Sequence, residues 1–181
     1  MNILLNIAQI YIPTWIKKAK LKELLDCTAT AFNCPVPSLN HLSYDDCLVT
    51  YAEFTREEAE KALRSGHELH QIKRNLYQNA YQLGQNLRQS FHITTTPDVM
   101  AMGRILYRVI GIDFQGTVQG KILIAQCFFS QFYSSQVCQL ISSLDQGLLA
   151  GLAGGGQLVF SQRITEGQSC CQAHFTMKEK H

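Results

Sequence analysis

Cys138 and Asp145 stand seven residues apart in a segment with helical periodicity. That spacing puts a thiol and a carboxylate about 20° apart in projection, two turns along one helix face. Pointing into one cavity, such a pair offers a nucleophile and an acid or base. Asp145 is the more informative of the two, because residues 109–160 hold only Asp113, Lys121 and Asp145 as charged side chains. A carboxylate withdrawn from water in so apolar a stretch is costly without a partner. Arg163, on the strand expected to follow, is the most economical partner. The alternative is that Asp145 lies at the helix edge in water and Cys138 fills the core, as free cysteines commonly do.

Other polar clusters are weaker. The run Gly151-Leu152-Ala153-Gly154-Gly155-Gly156-Gln157 could line up backbone N–H groups around an anion, yet it follows a helix and lacks the Gly-Lys-Ser/Thr of a phosphate loop. A helix C-cap and tight turn is the expected reading, and no cofactor is assigned to it. The seven cysteines, at 27, 34, 47, 127, 138, 170 and 171, show neither paired CxxC zinc spacing nor a ferredoxin run. No metal site is assigned; an iron or iron–sulfur site built from Cys127, Cys138 and one of Cys170 and Cys171 is kept as an alternative. His67 and His70 fall one residue short of the HExxH spacing and read as a solvated face. His92 ends a helix, where a histidine complements the dipole.

The elements that must position these groups follow from periodicity. Pro13 suits a first helical turn, after which Trp15, Ile16, Ala19, Leu24 and Leu25 share one side and Lys17, Lys18, Lys20 and Lys22 the other. Cys34-Pro35-Val36-Pro37 breaks the chain. A short helix from about Ser43 to Phe54 precedes Thr55-Arg56-Glu57-Glu58, whose spacing predicts a capping box opening a long helix. Leu69, Ile72, Leu76, Ala80, Leu83 and Leu87 form its core stripe, and Gly66 and Gly84 weaken it or permit close packing. Thr96-Pro97-Asp98 predicts another start, and Gly111 a stop, for a helix carrying Met102, Ile105, Leu106 and Val109. Strands are expected at Lys121–Phe129, Gln157–Thr165 and Cys170–Phe175, with Cys171, Ala173 and Phe175 facing inward. Between the first two lies a helix from Ser134 or Ser135, its stripe made of Val137, Leu140, Ile141, Leu144 and Leu148.

The expected architecture is an α+β fold, N-terminal helices packed on a small C-terminal antiparallel sheet in two layers. One domain is expected over 1–181, mainly helical over 1–111 and strand-helix-strand-strand over 112–176. Composition agrees: 46% of the 181 residues are hydrophobic and 17% charged, against about 25% charged in an ordinary domain. Ten charges sit in residues 53–74, a solvated helix face. A net charge of +2 gives no footprint for nucleic acid or an anionic membrane surface, so neither is expected as a partner. No uninterrupted apolar run reaches membrane-spanning length, and the polar residues Asn2, Asn6 and Gln9 interrupt the N-terminal one; stable membrane insertion is not expected. An odd cysteine count in a chain of this size suits a reduced, cytoplasmic setting. Trp15 with Ile10–Ile12 makes an apolar patch that either docks on the core or supports a homodimer, with peripheral membrane binding a third option.

The string Cys127 through Tyr133, Val137-Cys138, Leu144-Asp145, Gly151, Phe160, Thr165-Glu166-Gly167 and Cys171 resembles the L-2-amino-thiazoline-4-carboxylic acid hydrolase-like family. The Gly167-to-Cys171 spacing agrees with that family's terminal strand, while Gln172 and Ala173 replace its Asp and Phe. The resemblance spans about 100 residues, from the Leu76–Leu87 helix to Phe175. It implies a cofactor-free hydrolase acting on a cyclic or amide-like C–N bond of a small molecule. Asp145 would then orient or deprotonate a nucleophile, and Cys138 or Cys171 would be that nucleophile or shape the pocket. Arg163 would hold a substrate carboxylate, Glu166 supply a second acid or base, and Cys127 and Tyr133 contribute to substrate binding. The same helix-then-sheet order, with Leu83-Gly84 in a long helix and a terminal G-x-x-x-C strand, is also similar to 4-vinyl-reductase-type domains. That likeness implies a non-catalytic site for a pigment or other apolar ligand. A fainter likeness, in the cysteine-rich C-terminus, is to a carotenoid isomerase type, implying a metal-dependent isomerase.

Overall fold

Five α-helices and a four-stranded antiparallel sheet make up the described part of the chain, residues 12–66 and 68–178 of a computed structural model. The helices are α1 (Thr14–Phe32), α2 (Tyr44–Ser65), α3 (Leu69–Phe91), α4 (Thr96–Val109) and α5 (Ser135–Ala153). The strands are β1 (Ile112–Gly116), β2 (Lys121–Cys127), β3 (Gly156–Gln162) and β4 (Cys171–Met177), in the order β1-β2-β4-β3. The α+β architecture is as expected, with helices covering one face of the sheet. Among the described residues no helix is long and apolar enough to cross a membrane.

Strand alternation sorts the sheet into two faces. Phe114, Ile122, Ile124, Leu158, Cys171, Ala173 and Phe175 are buried toward the helices, while Leu123, Val159, Gln172 and His174 face outward. Register keeps the buried set together: Phe114 opposes Ile124, Ile124 opposes Cys171, Ile122 opposes Ala173, and Leu158 opposes Phe175. Because side chains alternate with a period of two, a slip of one residue would expel this whole set. β3 carries an irregularity between Phe160 and Gln162. Directly after it the chain leaves the sheet through Arg163 and a short 3-10 turn, Ile164–Glu166.

Several boundaries differ from expectation. Thr55 starts no helix: it is fully buried in the middle of α2, and its hydroxyl bonds back to the Tyr51 carbonyl. The capping box sits at Ser43 and Asp46 instead, where two acidic residues in the first turn complement the dipole. Gly66, in the left-handed conformation, ends α2, so the expected long helix is two. α4 begins one residue earlier than read, with a Thr95–Asp98 capping box ahead of Pro97. On α1 the buried side is Leu21, Leu25, Thr28 and Ala29; Trp15 is 72% exposed and Ala19 is also exposed. Clustered lysines had hidden that stripe, because long side chains such as Lys17, which lies over the Tyr44 ring, cover apolar surface themselves. β1 was not anticipated: its alternating Ile112 and Phe114 span too few residues to register as a period. β2 stops at Cys127 and β3 at Gln162, both short of the predicted ends, because 3-10 turns follow. Ile10 and His67 lie outside the described residues.

The tightest packing joins α3 to α5. A β-carbon at Gly84 would strike the Leu148 carbonyl, one at Gly147 the Tyr77 carbonyl, and one at Gly151 the Tyr81 carbonyl. These three glycines let two backbones meet where any side chain would hold them apart. Helix–helix contact of this closeness fixes the position of α5, and with it the position of Cys138 and Asp145.

Candidate functional site

Next to that contact, the helices and the sheet enclose a cavity of about 120 Å³. Its walls come from every described helix: Leu24 of α1, Tyr51 of α2, Ala80, Leu83 and Leu87 of α3, Leu106 and Tyr107 of α4, and Cys138, Ile141, Ser142, Leu144, Asp145 and Leu148 of α5. The connection after β2 adds Cys127, Phe129, Ser130 and Tyr133; the 3-10 turn after β3 adds Ile164 and Thr165, and β4 adds Cys171. Lys20 and Glu23, partly exposed and paired with each other at 2.9 Å, stand where the cavity meets solvent. Cavities of roughly 150 Å³ with apolar walls stay dry and accept benzene-sized guests.

Among the described residues Asp145 is the one charged side chain lining the interior, inward of Lys20 and Glu23. Its Oδ1 accepts a hydrogen bond of 2.7 Å from the Tyr107 hydroxyl, and Tyr107 is itself stacked on Phe114 at 4.8 Å between ring centroids. Burial pushes the Asp145 carboxyl up to about 6, against the pull of the Tyr107 bond and the Arg163 charge in the other direction. Burial, with Asp145 alongside, likewise holds Tyr107 well above the ordinary phenol range.

Arg163 does not take the place assigned to it beside Asp145. Its Nη1 donates to Ser142 Oγ at 2.7 Å and lies 3.8 Å from Cys138 Sγ. Its guanidinium covers the Phe160 ring at 3.9 Å, and Nε lies 3.8 Å from Glu166 Oε1. Among the described residues Asp145 and Arg163 form no ion pair. The reason is the bulge in β3: it directs Arg163 against the first half of α5, at Ser142, one turn short of Asp145. Glu166 lies at the surface, where it accepts from Gln139 Nε2 at 3.0 Å, and does not line the cavity.

The remaining polar groups of the walls mostly satisfy one another. The Tyr51 hydroxyl bonds Thr28 at 3.1 Å, the Tyr133 hydroxyl bonds Thr55, Ser130 donates to the Cys127 carbonyl, and Ser142 donates to that of Cys138. The Thr165 hydroxyl is buried without a hydrogen-bond partner. Burial pushes the Cys127 thiol up to about 12 and raises Cys171, whose sulfur accepts the Ile164 backbone N–H at 3.3 Å. These two thiols are held protonated, the form in which sulfur is a weak nucleophile.

Of the residues singled out from sequence, Asp145, Cys138, Cys171, Cys127 and Tyr133 thus meet around one cavity, Arg163 reaches its wall through Ser142, and Glu166 stays outside. Sequence reasoning misses Tyr107 and Tyr51, and assigns Leu83 and Leu87 of α3 to the core stripe alone. A tyrosine within the apolar stripe of α4 was the available signal for Tyr107. Although three thiols line the cavity, among the described residues no three His, Cys, Asp or Glu side chains converge closely enough to hold a metal ion. All seven cysteines are free. Neither a protein-family model, nor a curated protein, nor a solved structure matches the chain.

Proposed function

We propose that this protein is a binding module for a small, largely apolar molecule, held in the cavity around Asp145. The observation that carries the reading is the composition of the walls: aliphatic and aromatic side chains from five helices, hydroxyls mostly bonded within the protein, and, inside the Lys20–Glu23 pair at the entrance, one carboxylate among the described residues. Ligand sites are characteristically apolar pockets with a few polar groups that fix orientation. It corresponds to the 4-vinyl-reductase-type resemblance, and raised thiols at Cys127 and Cys171 favour it over cysteine catalysis.

Benzyl alcohol, of the size such a cavity accepts, is the probe. In the full chain it shifts the NMR methyl signals of Leu83, Leu106 and Leu144, and Leu106→Trp, which fills the space, removes the shift while the protein stays folded. Failure of the native protein to bind either benzyl alcohol or its ring-matched amine, benzylamine, overturns the reading.

Hydrolysis is the second reading, favoured by one observation: a carboxyl titrating at about 6 beside a thiol in the same cavity is placed to move protons near neutrality. Its test is consumption of an aminothiazoline carboxylate by the purified protein, with Asp145→Asn stopping it. A carrier returns its ligand chemically unchanged.

A further inference from the structure

We infer that the ligand carries a cationic nitrogen, that of an amine attached to an apolar body, and that this nitrogen pairs with Asp145. The inference rests on the binding reading above and specifies the chemistry of its ligand.

Three observations converge. First, one Asp145 oxygen is engaged by Tyr107, and no described side chain donates to the other, so the carboxylate faces the cavity with an acceptor to offer. Second, charge around the cavity balances everywhere except at Asp145. Lys20 and Glu23 neutralise each other at the entrance. Arg163 is occupied by Ser142, the Phe160 ring and Glu166, leaving its charge already met by the carboxylate of Glu166. Third, of the other hydroxyls of the walls, Tyr51, Tyr133, Ser130 and Ser142 are paired within the protein, and Thr165, buried without a partner, is uncharged. They offer a ligand no stronger anchor than Asp145 does.

A neutral donor would satisfy the free oxygen but leave the charge uncompensated in an apolar space, where buried charges are ordinarily paired. A carboxylate ligand would add repulsion. The penalty of removing Asp145 from water falls on folding, so an incoming ammonium bears only its own desolvation and gains a charge-assisted hydrogen bond.

Benzylamine, benzyl alcohol and benzoate share one ring and differ in the charge of the head group. Titrated by NMR or calorimetry at pH 7.5, benzylamine is expected to bind at least about tenfold more tightly than benzyl alcohol, and benzoate most weakly. Asp145→Asn keeps the shape and the Tyr107 bond, and is expected to bring benzylamine to within about threefold of benzyl alcohol. If benzylamine binds the native protein no better than benzyl alcohol, or if Asp145→Asn retains the amine preference, the inference is overturned while the binding reading stands. If none of the three binds, both fall.

Discussion

The two halves of α5 solve opposite problems. From Gly147 to Ala153 the helix meets α3 backbone to backbone, with Gly147 and Gly151 against the Tyr77 and Tyr81 carbonyls. In the preceding turns one face of the same helix, with Cys138, Ile141, Ser142 and Asp145, borders an unfilled space and carries a carboxyl that folding does not pair with a cation, while Val137 and Leu140 stay packed in the core. The first segment is closed by backbone contact; the second leaves one face open. A rigid anchor beside an unfilled, apolar cavity that carries one carboxylate is what holding a site in place requires, because the groups of a binding site are only as well positioned as the elements beneath them. The contrast also separates stability from function along one helix. Local rules broken without structural gain are expected at functional sites.

The largest effect expected from breaking this contrast is in the anchor. Gly147→Leu and Gly151→Leu place a side chain where a carbonyl of α3 already stands, and no rotamer avoids the β-carbon clash. Each should cost about 4 kcal/mol or more, or prevent folding, as read by urea denaturation. At the cavity end, Ile141→Ala removes a side chain that already borders empty space, and its expected cost is smaller, about 1–2 kcal/mol. Equal losses at the two ends would erase the distinction.

Next comes the carboxyl. In the unfolded chain Asp145 titrates at its ordinary value of 3.8, and in the folded protein at about 6. Between these the native state holds a proton that the unfolded state has released, so stability falls as pH rises through that window. Below about pH 4 both states are protonated and the penalty vanishes; above about pH 6 it is complete, on the order of 3 kcal/mol. Asp145→Asn should therefore stabilise the protein by about that amount at pH 7.5 and by nothing at pH 3.5. Denaturation curves for both proteins at the two pH values decide the matter. A variant less stable than the native protein at pH 7.5 would mean that Asp145 serves the fold.

These effects bear on what a single sequence discloses. The sparse charge of residues 109–160 pointed to Asp145, since a charge in an apolar stretch is conspicuous whatever the fold. Strand alternation pointed to Cys171, Ala173 and Phe175 as an inward face for the same local reason. Gly147, by contrast, carries no signal of its own, and Gly151 belongs to the run whose expected reading is a C-cap and turn; it lies inside α5, and only the partner backbone explains both glycines. Thr55 misled because a capping box read from sequence does not say whether the chain is already helical; α2 had begun at Ser43, and Thr55 spends its hydroxyl on the Tyr51 carbonyl. Arg163 was assigned to Asp145 by charge alone, and the bulge in β3 that diverts it to Ser142 is a property of strand pairing. Local composition marks which groups are unusual, whereas register and close approach determine which of them meet.

The smallest effect tests the electrostatic link between the cavity and the surface. Glu166 lies outside the cavity, bonded to Gln139 and 3.8 Å from Arg163. As a partly exposed pair it should contribute little to stability, and Glu166→Gln is expected to shift unfolding by less than about 0.5 kcal/mol. Its influence inside differs in kind. The positive charge of Arg163 is one of the factors drawing the Asp145 carboxyl downward, and Glu166 offsets that charge. With Glu166 neutral, Arg163 acts on Asp145 unopposed, and the carboxyl should titrate below its native value of about 6. Carbon-detected NMR of the Asp145 carboxyl across pH 3 to 8 would register the downward move. A carboxyl unmoved by Glu166→Gln would mean that Arg163 is screened from the cavity, and that burial and Tyr107 alone set the charge of the site.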